Sequence, residues 1–321
     1  MHRFHGWAAV CLALIVTSVD GEMKRPAGGY GVFRSTDRGR SWSRSDAGLP
    51  AHVRVNAFGA VRSAVLAGTD EGIYVSQSQG VDWKPASGAA IGSGRILSFA
   101  AIGDAAYAGT DRSGVLVSID GGQSWVREFH CPFRYVRSLL AHAGALYAGT
   151  DAQGVFVSRD GARSWSSIGR GLPAGAQIFS MAQLKGRVFA GLYSKGLYVW
   201  SSREQRWRKV GPVSPLVLAT AGETLLAGHN PGGIHRSDDL GATWTPARIG
   251  FSEGLGSAPV WELGSCPGLA IAGVYAGIYY SEDRGRTWVR ATTGLPANSA
   301  GIAFLGAGSF VLAGVSVEPV R

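Results

Sequence analysis

Apolar and polar positions alternate along this chain in short runs separated by glycine-rich breaks. Stretches such as "VRVNAF" (53–58), "VLAGT" (65–69) and "GIYVS" (72–76) change character at every second residue. That period of two is the signature of β-strands with one buried face and one wetter face. Glycine, 48 in all, supplies the tight turns that many short strands need. The pattern predicts an all-β protein.

The strands recur in phrases. "STDRGRSW" (35–42), "SIDGGQSW" (118–125), "SRDGARSW" (158–165), "SDDLGATW" (237–244) and "SEDRGRTW" (281–288) are near copies, with weaker ones at "SQSQGVDW" (76–83) and "SSREQRW" (201–207). Their tryptophans, Trp42, Trp83, Trp125, Trp165, Trp207, Trp244 and Trp288, are spaced by 37 to 44 residues. A period near forty points to a solenoid, an array or a propeller. A second phrase, "YAGTDAQGVFVS" (147–158) and its relatives, precedes most copies of the first. One repeat then holds four strands: inner strand a, b ending in "AGT", c, and outer strand d beginning at the tryptophan.

The two phrases are offset by half a repeat. The chain opens on a c–d half, "GVFRSTDRGRSW", and closes on an a–b half ending in "LAGVSVE". Joined in one sheet, these halves close a ring of seven blades, which hides the sheet edges that an open stack would expose. The expected fold is a single seven-bladed β-propeller over residues 30–316, with strand b at 309–315 beside strand c at 31–35.

The eight-residue phrase falls between strands c and d. Its glycines suit positive φ, and Asp37, Asp120, Asp160, Asp239 and Asp283 can accept backbone N–H bonds inside the turn. The tryptophan offers a large flat surface for packing. A catalytic residue is needed once, not five times, so the phrase reads as a joint. Three copies depart from it: Ala162 replaces the glycine, Ser78 the aspartate, and 201–207 is one residue short. Looser turns are expected there.

This phrase resembles the Asp-box, or BNR, repeat of sialidases, sortilin-type receptors, xyloglucan-processing hydrolases and photosystem II assembly/stability-factor propellers. The sialidase resemblance implies a Phe/Tyr-Arg-Ile-Pro signature, an arginine triad and a Tyr–Glu pair. The chain offers only "CPFRYV" (131–136) as an echo of the first. The resemblance is nearest in layout to the assembly/stability-factor propellers. It implies a single exported propeller whose arginine-rich surface engages a protein partner.

Before the repeats, "MHRFHGWAAVCLALIVTSVDGE" has an early arginine, an apolar run from Trp7 to Val16 and then small and polar residues. That is a secretory signal-peptide layout, too short to span a bilayer. Residues 1–21 are read as the signal peptide, 22–29 as a linker and 317–321 as a tail. The expected location is periplasmic or secreted, without a transmembrane span in the mature protein, and the expected state is a monomer.

The formal net charge is +9, with arginine far ahead of lysine, so an anionic partner is favoured. An exported protein disfavours nucleic acid. No metal signature, phosphate loop or unique acid pair is present, and no cofactor is expected. Cys131 and Cys266 fall in loops predicted on opposite faces and should remain free thiols.

Ligands of propellers meet the face formed by the b–c and d–a loops. The b–c loops carry Asp70, Asp111 and Asp151 at one repeated position, read as turn caps, with Tyr193 and His229 breaking the pattern. The longest interval between phrases, 244 to 273, adjoins the shortest, 207 to 228. A projecting loop beside a trimmed one makes a notch, predicted to be lined by Arg208, Lys209, His229, Arg248, Phe251 and Glu253 with Arg248 as cationic anchor. The preferred reading is a non-catalytic propeller that binds a protein segment or an anionic polysaccharide. The alternative is a sialidase-like glycoside hydrolase.

Overall fold

A computed structural model describes residues 29–317 except 89–93, 129, 230–231, 250–258, 275–276 and 298. The signal-peptide, linker (save Gly29) and tail (save Val317) readings lie outside these residues; Val317 ends the last strand, Phe310–Val317, rather than opening a tail. The described residues are strands, turns and irregular segments with no helix.

The strands form seven antiparallel blades. Inner strands Val55–Val61, Ile96–Ile102, Val136–His142, Ile178–Leu184, Val217–Ala221, Val260–Cys266 and Ser299–Ala307 open blades I to VII. Closure is as the offset phrases require. Tyr30–Ser35 pairs with Phe310–Val317 in the register Gly31↔Val315 through Ser35↔Val311, so the two ends of the chain share blade VII. Blade VI gains a fifth, parallel edge strand at Arg248–Ile249, paired with Thr287–Trp288.

The core lies between blades. Leu66 of blade I packs with Phe99 and Trp125 of blade II, and the same interleaving joins Ile271 of blade VI to Trp42 and Phe304 of blade VII. Trp42, Trp83, Trp125, Trp207 and Trp288 are buried, whereas Trp165 and Trp244 are half-buried.

The repeated phrase is a joint in a literal sense. The main-chain N–H groups of Trp83, Trp125, Trp207 and Trp42 donate to carbonyls of Ala47, Ser87, Arg170 and Thr293 as the chain leaves the preceding blade. That exit strand runs very close. A Cβ added at Gly48, Gly88, Gly171 or Gly294 would lie 2.0, 2.1, 2.3 or 1.8 Å from the tryptophan carbonyl oxygen, and each of these glycines has positive φ. Only glycine fits such an approach.

Within the turn, Asp120 Oδ1 accepts from Ser118 Oγ at 2.8 Å and from the N–H groups of Gln123 and Ser124 at 3.0 Å. Asp37, Asp160, Asp239 and Asp283 accept likewise from their neighbours. Burial of Asp37 and Asp120 alone would raise their carboxyls, but these donors outweigh it and hold them at about 2. Asp160 and Asp239, bonded first by Ser164 and Thr243, also sit at about 2.

The three departures are accommodated rather than loosened. Ala162 takes φ 73° and keeps the bond from its N–H to Ser158 Oγ at 2.9 Å. Ser78 Oγ accepts the Asp82 N–H at 3.0 Å in the aspartate's place. The short copy becomes an ordinary hairpin, pairing Ser201 with Arg206 and lengthening the outer strand to Arg206–Lys209. Both cysteines are free, as expected. Cys131 abuts the b–c loop at Gly114, and Cys266 ends the inner strand of blade VI beside Gly306.

Candidate functional site: the b–c and d–a face

Six of the seven inner strands carry a bulge at one place, skipping Asn56, Leu97, Arg137, Phe179, Trp261 and Ile302 from the pairing ladder. Only blade V runs in straight register. A bulge re-aims the extra side chain, and in blades I, III and IV it meets the b–c loop of its own blade. Asn56 Nδ2 donates to Asp70 Oδ1 at 2.9 Å in blade I. Arg137 Nη2 donates to Asp151 Oδ1 at 3.3 Å in blade III. In blade IV the same geometry holds two rings, Phe179 stacked on Tyr193 at 4.9 Å and 21°.

Blades III and IV therefore join in one stack. The Arg137 guanidinium lies 4.2 Å from the Phe179 ring centre and 5.0 Å from that of Tyr135, whose hydroxyl it also reaches at 3.1 Å. Its side chain is only 5% exposed, a setting where cation–π attraction is strong. The sequence of layers is Tyr193, Phe179, Arg137, Tyr135. Tyr193, at the end, is 47% exposed.

Carboxylates of this face are engaged. Asp111 accepts from Arg95 through both Nε, at 3.0 Å, and the backbone N–H, at 2.9 Å. Glu71 faces His52 at 3.0 Å, and Asp46 accepts from Arg44 at 2.7 Å. Glu262 is buried. Among the described residues no group of three or more His, Cys, Asp or Glu side chains could hold a metal ion. The reading of Asp70, Asp111 and Asp151 as turn caps misses their partners: each is tied to a side chain of the inner strand or the loop before it.

The predicted notch residues fall in different places. Arg208 bonds Glu204 through Nε at 2.7 Å, which carries it to the c–d hairpin rather than to this face. Lys209 lies across Gly196 at the start of strand c, where an added Cβ would meet its Cε at 2.6 Å. The Arg248 backbone forms the extra edge strand of blade VI, while Phe251 and Glu253 lie outside the described residues.

His229 is on the b–c loop and half-buried. It stands where blades I to III have Thr69, Thr110 and Thr150, whose hydroxyls close the loop. Its Nδ1 approaches the Ser214 carbonyl at 3.3 Å, and its ring meets that of His235 edge-on at 4.8 Å. His229 Nε2 and His235 Nδ1 are buried and find no hydrogen-bond partner among the described residues. Burial, then the neighbouring His235, pushes His229 down to about 4, and burial lowers His235.

No protein-family model matches the chain, and no curated protein matches it. Solved structures do. YCF48 from Cyanidioschyzon merolae aligns at 16% identity and TM-score 0.65 over 84% of this chain and 97% of that one. YCF48 bound to D1 peptide aligns at 16% and 0.66 over 97% of this chain and all (100%) of that one. The GH74 xyloglucanase from Xanthomonas campestris aligns at 17% and 0.63 over 91% of this chain, which spans 55% of the enzyme's chain. Likeness at this identity shows the fold, and the fold it shows is the seven-bladed β-propeller.

Proposed function

We propose that this chain is an exported, non-catalytic propeller that binds a protein segment through its b–c and d–a face. The observation that carries the reading is the buried Arg137, wedged between Tyr135 and Phe179 where blade I places an Asn–Asp pair. A scaffold repeated for construction gains nothing from one such stack, whereas rigid aromatic and arginine side chains are what recognition sites favour. YCF48, similar in fold and full length, is described as bound to a peptide, and the net charge of +9 favours an acidic segment. The same charge supports an anionic polysaccharide as a second reading.

A glycoside hydrolase has less support. Acid–base cleavage needs two carboxyl groups at a set separation, and Asp111, Asp151, Asp70 and Glu71 on this face are bonded to arginine, asparagine or histidine. Capture of partners from the source organism's envelope by the immobilised mature protein tests the proposal. A parallel screen should show no turnover of sialosides or xyloglucan. Turnover abolished by changing a carboxylate on this face would overturn it.

A further inference from the structure

The stack ends in a surface that none of the described residues covers. Tyr193 lies parallel to Phe179, and about half of it remains exposed. Its loop is held on both sides. The Tyr193 N–H donates to the Gln177 carbonyl at 3.2 Å, the Lys195 N–H to the Leu192 carbonyl at 3.3 Å, and Lys195 Nζ to the Ala174 carbonyl at 2.9 Å. The ring is thus fixed before any ligand arrives, which lowers the ordering cost of binding.

Chemistry narrows the occupant. A platform for sugars needs free polar groups around the ring to bond hydroxyls. Here the loop donors named above are already used inside the protein, as is the Asp151 carboxylate. What remains is a flat ring face with the exposed Ser194 and the half-buried Gln177 beside it, enough to bond one peptide group but fewer fixed partners than the several hydroxyls of a sugar call for. We propose that Tyr193 is the specificity-determining platform of the binding face and takes an aromatic side chain of the partner segment, continuing the four-layer stack as a fifth layer. This rests on the reading of that face as a peptide-binding surface.

The platform is testable without knowing the partner. N-acetyl-tryptophanamide, N-acetyl-leucinamide and methyl β-glucoside are titrated into the labelled mature protein, and amide shifts are followed at Tyr193 and Gln177. The tryptophan probe should shift both saturably, and Tyr193→Ala should weaken it about threefold to tenfold, with Tyr193→Trp retaining binding. Equal shifts from the leucine probe, or shifts from the glucoside alone, would overturn the proposal. An unmoved Tyr193 would do so as well. Tyr193 is half-exposed, so its alanine variant loses the stack on Phe179 but should still unfold cooperatively within a few degrees of the parent, which the same samples report. If envelope capture yields no partner while the tryptophan probe still binds at Tyr193, the platform stands and the wider function fails. If a partner is captured equally by Tyr193→Ala, the function stands and the platform falls.

Discussion

Acid should weaken this protein in a window set by two histidines. In the fold His229 is held at about 4 against an ordinary value of 6.5, because its ring is buried and faces His235. The folded state thus prefers the neutral ring, and the unfolded chain binds more protons between those values. The stabilising contribution is full above about pH 6.5 and is lost as pH falls toward about 4. At about 1.4 kcal/mol per pH unit, the depression corresponds to about 3 kcal/mol, of which about 2.5 is gone by about pH 4.5. His235 is lowered in the same direction, so the two rings titrate as a pair. The turn aspartates act in a different window. The carboxyls of Asp37, Asp120, Asp160 and Asp239, held at about 2 against 3.8, contribute above that ordinary value and lose it only as pH falls below it.

The perturbation is to restore the repeat. His229→Thr supplies the hydroxyl that closes the equivalent loops through Thr69, at 2.9 Å to Gly72 O, and Thr150, at 2.8 Å to Gly154 O. His235→Tyr supplies the residue found at Tyr74 and Tyr279, each opposite an alanine of strand b as His235 is opposite Ala227. Urea unfolding at about pH 7.5 and about pH 4.5 gives the loss for parent and double variant. The parent should lose about 2 to 3 kcal/mol more than the variant. At neutral pH the variant should be at least as stable, because two buried nitrogens without partners have been removed. Parallel pH profiles for the two proteins would refute the argument.

Gly48→Ala or Gly294→Ala should cost roughly 3 kcal/mol or more in urea unfolding, because the added Cβ would meet a tryptophan carbonyl at 2.0 or 1.8 Å. Ala162→Gly should raise stability by about 0.5–1 kcal/mol, since Ala162 sits at φ 73° in its turn; a fall in the unfolding midpoint would argue that its methyl packs too well to lose. Cys131 and Cys266 should each take up a thiol reagent only after unfolding, with no reductant needed, because burial pushes Cys131 up to about 11 and raises Cys266. A disulfide found between them would contradict the fold.

The blade count and the closing register were legible because they depend on period and offset, both of which survive single substitutions. The tight exits were written in the chain as well. "GLP" stands at 48–50, 171–173 and 294–296, but its meaning depends on the carbonyls of Trp83, Trp207 and, across the ring closure, Trp42, and cannot be read locally. Register was less legible still. Arg137 and Phe179 look like alternate residues of a strand, and only the bulge before Ser138 and Ser180 turns them toward Asp151 and Tyr193. Loop-length reasoning drew attention to blades V and VI and passed over the stack, because blades III and IV have ordinary lengths. Arg208 misled for a related reason: position in the repeat placed it near the face, and its bond to Glu204 took it away.

The same physics explains why function should lie where it does in such a scaffold. The turns and exits bear the closure of the ring, and at Gly48, Gly88, Gly171 and Gly294 a change meets backbone at about 2 Å. The bulge position is freer, because its side chain leaves the ladder and needs only a partner in the adjacent loop. Blade I satisfies it with Asn56 and Asp70, blade III with Arg137 and Asp151, and blade IV with Phe179 and Tyr193. Each pair closes the same geometric gap with different chemistry, so the set can vary without disturbing the ring. Acids placed there would touch one another rather than stand at the separation that glycoside cleavage needs, whereas an aromatic pair presents the flat apolar face that recognition favours. Blade IV carries such a pair in Phe179 and Tyr193.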